Sequence, residues 1–228
     1  MLVRVGVLYS GGKDSNLALL KASREHSVVC LITLRPRSVE SMLYHYPNVE
    51  LVELQAEALG LPLVTEESPD DEEGGLEALR RALLRAAALY SIEGVVTGAV
   101  KSRYQASRFE AVARSLGLSC LNPLWGRDEL ELLREVVASG IVAIFTRVAG
   151  YPLGRALLGR KLDEEAVELL ARLRGYVNPS GEGGEYETFV LDSPLFRKRV
   201  VPLEWRIVGS EYDATLLIER AVLAEKQH

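Results

Sequence analysis

The sequence predicts an α/β protein: a parallel five-stranded sheet covered by helices on both faces, then a smaller α+β half. Three observations predict it. Up to residue 121, short apolar runs alternate with longer segments whose apolar residues recur at helical spacing. Strands separated by helices of that length need crossover connections, which make a sheet parallel. After Asn122-Pro123 the rhythm breaks, and strand-like runs gather towards the C-terminus. A glycine-rich turn, Ser10-Gly11-Gly12-Lys13-Asp14-Ser15, stands between the first strand and the first helix.

The elements follow in order. Residues 2–8 form an apolar, β-branched run, and Leu17, Leu20 and Arg24 then fall at turn spacing. Residues 28–34 read as a second strand, and 49–59 as a helix with Leu51, Leu54, Ala58 and Leu59 on one side. Residues 61–65 are a short third strand. Residues 76–90 are a strong helix, with Leu76, Leu79, Leu83, Ala86 and Ala87 in phase. Strand 94–100, helix 103–116 and strand 118–121 complete the first half. Beyond it, 128–139 reads as helix, 141–148 as strand and 163–173 as helix, with Asp163 as its N-cap. Residues 178–184 are loop material, and 186–191, 199–209 and 213–222 read as strands. The acidic run from Glu66 to Glu73 reads as a solvated loop leading into the following helix.

The boundary falls near 122, giving a nucleotide-binding half, 1–122, and a substrate-binding half, 123–228. No low-complexity linker separates them, so the halves are expected to pack closely.

Composition excludes several classes. The chain has 228 residues, 48% of them hydrophobic, which is too apolar for intrinsic disorder. No stretch approaches the ~18 consecutive apolar residues of a membrane helix. The N-terminus reads as a strand rather than a signal peptide, so the cytoplasm is the expected location. A net charge of −5 disfavours a general nucleic-acid binder. Cys30 and Cys120 lie apart among apolar residues and read as core cysteines; with no CxxC pair, zinc and dithiol chemistry lack support.

The turn at 10–15 carries the chemistry. Adjacent glycines let the backbone approach a phosphate, and a helix N-terminus presents free N–H groups at a positive dipole end. Ser10 and Ser15 supply hydroxyls, Lys13 supplies charge, and Asp14 suits a magnesium ion that bridges phosphates. It is not a Walker A loop, because Asp14 rather than Ser or Thr follows Lys13. A second cluster, Gly181-Glu182-Gly183-Gly184-Glu185-Tyr186-Glu187-Thr188, sets three carboxylates among three glycines. Alone it reads equally well as a solvated acidic loop or as part of a transfer site.

The first turn resembles the SGGxDS pyrophosphate loop of the ATP pyrophosphatases, which implies a Rossmann-like, HUP-type first domain. The two clusters together resemble the diphthine–ammonia ligase family. The likeness continues through Met42-Leu43-Tyr44-His45-Tyr46-Pro47-Asn48, Glu53 to Gly60, Thr97-Gly98-Ala99, Tyr104-Gln105-Ala106-Ser107-Arg108, Pro123-Leu124-Trp125 and Leu157-Leu158-Gly159-Arg160. It implies that the carboxylate of diphthine on elongation factor 2 is adenylated by ATP with Mg2+. Ammonia then makes the amide, with AMP and pyrophosphate as products.

The resemblance also implies site roles. Lys13, Asp14, Glu185 and Glu187 are the expected catalytic set. Ser10, Gly11, Gly12, Ser15, Thr33 and Gly98 join Lys13 and Asp14 on the ATP side. His45, Asn48, Tyr104, Gln105, Arg108, Glu182, Gly183, Gly184 and Tyr186 are expected on the substrate side. Asp14 and Glu185 are the expected metal ligands. Lys101 is equally a site or a surface residue, Trp125 is expected to pack in the core or between halves, and Tyr186 either stacks or packs. A second copy of the chain is a candidate partner; a membrane is not.

Two other readings stay open. One is a tRNA-modifying adenylating enzyme of the thiolase or lysidine-synthetase type, against which stand cysteines outside any motif and the negative charge. The other is a non-catalytic ATP-binding regulator, against which stands the full set of Lys13, Asp14 and carboxylates.

Overall fold

The computed structural model describes residues 2–36 and 48–226, apart from the side chains of Tyr104 and Gln105. Five strands form a parallel sheet: β1 (Arg4–Leu8), β2 (Ser27–Pro36), β3 (Leu63–Ser68), β4 (Gly94–Val96) and β5 (Ser119–Leu121), in the order β3-β2-β1-β4-β5. Helices α1 (Lys13–Glu25), α2 (Val52–Leu59), α3 (Glu72–Tyr90) and α4 (Arg103–Ser115) connect them. The first three strands step outward one way, and the chain then crosses back to place β4 on the other side of β1. Open sheets of this kind bind ligands at that reversal, beyond the carboxyl ends of the strands. Here it brings the turn after β1 beside the turn after β4.

A second, antiparallel sheet has the order β7-β6-β9-β8, built from β6 (Val142–Ala149), β7 (Tyr186–Asp192), β8 (Lys198–Gly209) and β9 (Asp213–Glu225). Helices α5 (Glu129–Ala138) and α6 (Glu164–Arg172) belong to this half. Three helices start at aspartates: Asp71 accepts from Gly74 N–H, Asp128 from Leu130 and Glu131 N–H, and the expected Asp163 from Ala166 N–H.

The α3–α4 face of the first sheet closes on its own core of Ile32, Leu34, Leu79, Leu83, Val95 and Phe109. The opposite face does not. Leu17, Leu20, Val52 and Val96 join one continuous core with Leu132, Phe145, Tyr186 and Phe189 of the second half. Burial of that shared apolar surface fixes β7 against the helix that follows the glycine turn.

Three expectations need correction. The acidic run is not all solvated loop, because Glu66, Glu67 and Ser68 continue β3 by pairing with Leu34, Arg35 and Pro36. Glu66 there accepts from Arg81 and Arg85 of α3, and the Asp71 cap starts that helix at Glu72. The fourth strand stops at Val96; Val100 is still fully buried, but as a loop residue. Trp125 is 42% exposed, because Leu124 takes the buried position of that turn. Cys30 is buried and Cys120 half-buried; burial pushes their thiols up to about 12 and about 11, which favours the protonated form of both at neutral pH. Among the described residues, no helix is long and apolar enough to cross a membrane.

Candidate active site

The turn after β1 is held from three sides. Gly11 has φ +82°, and a Cβ there would stand 2.4 Å from Gln55 Oε1, so only glycine fits. Fully buried Gln55 of α2 donates through Nε2 to Gly11 O (3.0 Å) and to Val190 O of β7 (2.7 Å). Val190 N–H donates to Gly11 O (2.9 Å). The first N–H of α1, on Lys13, donates to Thr188 Oγ1 of β7 (3.1 Å). Gly98, after β4, presses on the same helix end: a Cβ there would lie 3.0 Å from Ser15 N. Ser10 Oγ and Ser15 Oγ are 3.2 Å apart, and Ser10 Oγ also accepts from Gly12 N–H.

Lys13 is the centre of charge. Its Nζ lies 2.7 Å from Asp14 Oδ2, donates to Ser180 O (2.6 Å) and sits 5.1 Å from the centre of the Tyr186 ring. Burial works against its charge, but Asp14, Tyr186 and Glu182 outweigh burial and hold its pKa above the ordinary value. The lysine is therefore cationic throughout the physiological range. Asp14 Oδ1 is buried and has no hydrogen-bond partner.

The acidic loop surrounds this lysine, but its three glutamates differ. Glu182 Oε2 accepts from Lys101 N–H (3.1 Å), tying the loop to the turn after β4. Burial first, then the nearby Asp14 carboxylate, raises the Glu182 pKa. Glu187 is pushed up to about 8, chiefly by burial; Lys13 and Arg147 oppose the rise, and Asp14 and Glu182 add to it. Glu185 takes another role. Its two oxygens accept from Asn178 N–H (2.9 Å) and Gly183 N–H (2.9 Å), closing the loop on itself. Glu185, expected with Asp14 as a metal ligand, here spends both oxygens on its own loop, while Glu182 and Glu187 are the glutamates whose protonation responds to Lys13 and Asp14.

The Glu187 shift has a testable sign. The folded protein keeps that proton up to about pH 8, whereas an unfolded glutamate loses it near 4.5. The native state binds the extra proton across that window, so stability from this group is full below 4.5 and is lost as pH rises through 8. Glu187→Gln lacks this dependence. In thermal melts without nucleotide or metal, the wild type should lose ground against the variant between pH 5 and pH 9. A constant difference would contradict the assignment.

Other expected residues divide. Tyr186 packs rather than stacks on a ligand: its hydroxyl donates to Pro179 O (2.6 Å), and its ring meets Phe145 edge-on. Gly183 and Gly184 are exposed, with Gly184 at φ +82°. Thr33 lies under the turn, where its hydroxyl donates to Tyr9 O (2.6 Å). Asn48 is bound to β9, donating to Leu216 O and accepting from Ile218 N–H. Arg108 pairs with Glu72 of α3. These bonds tie Thr33, Asn48 and Arg108 to neighbouring elements. Lys101 pairs with Glu129 of α5 (2.6 Å). Gln105 and Tyr104 lie on α4, and their side chains, like the whole of His45, fall outside the described residues.

The two halves of the chain each match a family model. The diphthamide synthase N-terminal domain matches residues 3–120, and the diphthamide synthase C-terminal domain matches residues 128–224. The chain belongs to the diphthamide synthase family. The diphthine–ammonia ligase of Danio rerio is 39% identical over 220 residues, spanning 87% of this chain and 86% of that protein. That of Homo sapiens is 35% identical over 233 residues, spanning 93% and 87%. That of Schizosaccharomyces pombe is 38% identical over 219 residues; there the match spans 88% of this chain but 36% of the relative. The family is one of ligases.

Within this diphthamide synthase fold, four contributors lie outside the expected set. Gln55, Thr188 and the Ser180 carbonyl hold the loop or its lysine, and Arg147 pairs in register with Glu187. Their partners lie far along the chain, as Gln55 and Val190 do at a separation of 135 residues, so no local spacing marks them.

Proposed function

We propose that this chain amidates diphthine on elongation factor 2, using ATP and ammonia and releasing AMP and pyrophosphate. The observation that carries the reading is the position of Lys13. It is a buried, permanently charged ammonium at the N-terminus of α1, at the strand reversal, with carboxylates on the side of the acidic loop. Such a site stabilises a departing polyanion and needs no protein nucleophile.

The residues fit the reaction in turn. The Ser10–Ser15 turn and Lys13 receive the β- and γ-phosphates. A carboxylate oxygen of diphthine attacks the α-phosphorus, and the bond to pyrophosphate breaks. Lys13 balances the charge that collects on the leaving group. Ammonia attacks the acyl carbon, AMP departs with the bonding electrons, and the excess proton passes to solvent or a site carboxylate. The reading takes 1–122 as the ATP-binding lobe and 123–228 as the substrate lobe, with one site between them. It places the chain in the cytoplasm with its translation-factor substrate.

Magnesium fits this donor set. Asp14 Oδ1 is buried without a partner, and Glu182 and Glu187 lie within its electrostatic reach. Among the described residues, no group of three or more acidic, histidine or cysteine side chains forms a complete metal cage. That suits an ion held by one or two carboxylates together with phosphate oxygens. When bound, magnesium neutralises phosphate charge.

Glu185 is here a positioning residue. It shapes the loop that presents Ser180 O to Lys13 and Glu182 to the turn after β4. Glu185→Gln puts an amide donor against one of two N–H groups. Charge-assisted bonds of this type contribute about 1.5–3 kcal/mol, so a roughly tenfold to hundredfold loss of kcat is expected with folding retained. Unchanged rates would remove Glu185 from the account.

The test is direct. The chain is incubated with diphthine-bearing elongation factor 2, ATP, magnesium and ammonium, with unmodified tRNA in parallel. Diphthamide, AMP and pyrophosphate are expected with the protein alone. ADP as product, or turnover only with tRNA, overturns the proposal.

A further inference from the structure

Trp125 and Tyr176 are large aromatic residues left 42% and 75% exposed. Single exposed apolar residues are ordinary on a protein surface; the place of these two is what counts. Trp125 follows β5, at the same carboxyl edge of the parallel sheet as the glycine turn after β1. The next N–H, on Gly126, donates to Val100 O in the turn after β4 (2.9 Å). Lys101, which follows Val100, donates its own N–H to Glu182 of the acidic loop (3.1 Å). Tyr176 stands in the segment that enters the same loop from the second half. Just before it, Arg174 pairs with Asp128 (3.0 Å) and Glu129 (3.6 Å) at the start of α5. Just after it, Asn178 N–H donates to Glu185 (2.9 Å), and Ser180 O accepts from Lys13 (2.6 Å). Glu129 also binds Lys101 Nζ (2.6 Å), so one ion network, Lys101–Glu129–Arg174, joins the two turns.

We infer that the turns carrying Trp125 and Tyr176 are the surface on which the folded protein substrate docks, so that its modified histidine passes between them and the acidic loop towards Lys13. The inference rests on the reading above, that this substrate is diphthine-bearing elongation factor 2. Lys13 is buried, whereas Lys101, Gly183 and Gly184 are exposed outside it. A side chain that passes this outer layer brings the surface of its own protein onto the flanking turns. Protein interfaces are anchored by tryptophan, tyrosine and arginine within a polar surround. The rim has that composition: Trp125 and Tyr176, with Arg174, Lys101 and Asp128 beside them in the chain or the ion network. The network also holds both turns in place before the substrate arrives, which lowers the ordering cost of docking. A second copy of the chain seated here would close the approach to Lys13, and that favours the substrate as occupant.

Initial rates across concentrations of diphthine-bearing elongation factor 2, at saturating ATP, magnesium and ammonium, test the inference. Trp125→Ala and Tyr176→Ala should each raise the KM for the factor about tenfold, with kcat and the KM for ATP within about threefold of wild type. Trp125→Tyr, which keeps an aromatic ring, should recover most of the wild-type KM. Leu89→Ala removes another exposed apolar side chain, at the end of α3, where Tyr90 O accepts from Arg4 at the start of β1 (2.8 Å). That is the opposite edge of the sheet, so its KM should not change. Circular dichroism checks that every variant folds. An unchanged KM for the factor in both alanine variants overturns the inference. So does an equal rise in the KM for ATP, which would report a distorted site. Altered sedimentation of the chain alone, with the KM for the factor unchanged, would assign the surface to a second copy and overturn it too. A wild type that forms no diphthamide overturns the reading of the substrate, and this inference with it.

Discussion

Lys13→Met should lower AMP release by about a thousandfold while the protein still folds. Methionine keeps most of the aliphatic length and removes the charge together with its hydrogen-bond donors. The ammonium balances Asp14 and supports a leaving group of several negative charges in a water-poor setting, where removal of one preorganised donor typically costs 10²–10³ in rate. Loss of the Ser180 contact also frees the acidic loop from the helix start. Quenched-flow assay of AMP, with circular dichroism as the folding control, measures the effect. Activity within tenfold of wild type would place the chemistry elsewhere.

Gln55→Leu should both destabilise the fold and weaken ATP use. Leucine fills a similar volume but cannot donate. Two buried carbonyls, Gly11 O and Val190 O, lose their side-chain donor, and such losses cost about 1–3 kcal/mol each. Gly11 O keeps the Val190 N–H, so its share falls at the lower end. The glycine turn also loses its tether to β7, and the KM for ATP should rise about tenfold more than kcat falls. Thermal melts and initial rates measured across ATP concentrations check the two parts. An unchanged melting temperature together with an unchanged KM would contradict the role.

The sequence makes the first half legible for a physical reason. The central strands β1, β2 and β4 are largely apolar because both sheet faces are covered, and the helices show buried stripes. The glycine turn is legible because its signal is local: strand, glycines, lysine, aspartate and helix follow one another within a few residues. Where local signal and tertiary use diverge, reading fails. Val100 is apolar because it is buried, yet it lies beyond the strand. Glu66 looks like loop until Arg81 and Arg85, one helix away, are seen to hold it in β3.

The acidic loop shows the same limit within eight residues. Three glutamates of one type in one motif cannot be ranked by spacing. Only the fold shows Glu185 bonded to its own loop while the protonation of Glu182 and Glu187 responds to Lys13 and Asp14. Arg108 and Asn48 sit in family-like patterns, yet they hold neighbouring elements together. A motif marks where the chain matters; whether a side chain faces ligand or protein depends on partners that spacing does not reveal, 36 residues away for Arg108 and 170 for Asn48.

The central claim is that a substrate carboxylate attacks the α-phosphorus. It is tested most directly with elongation factor 2 whose diphthine carboxylate carries 18O. Adenylation transfers one labelled oxygen to the phosphate of AMP, and mass spectrometry of the product should find AMP heavier by one 18O in step with diphthamide formed. Label appearing in inorganic phosphate, with ADP as the partner product, would contradict the account.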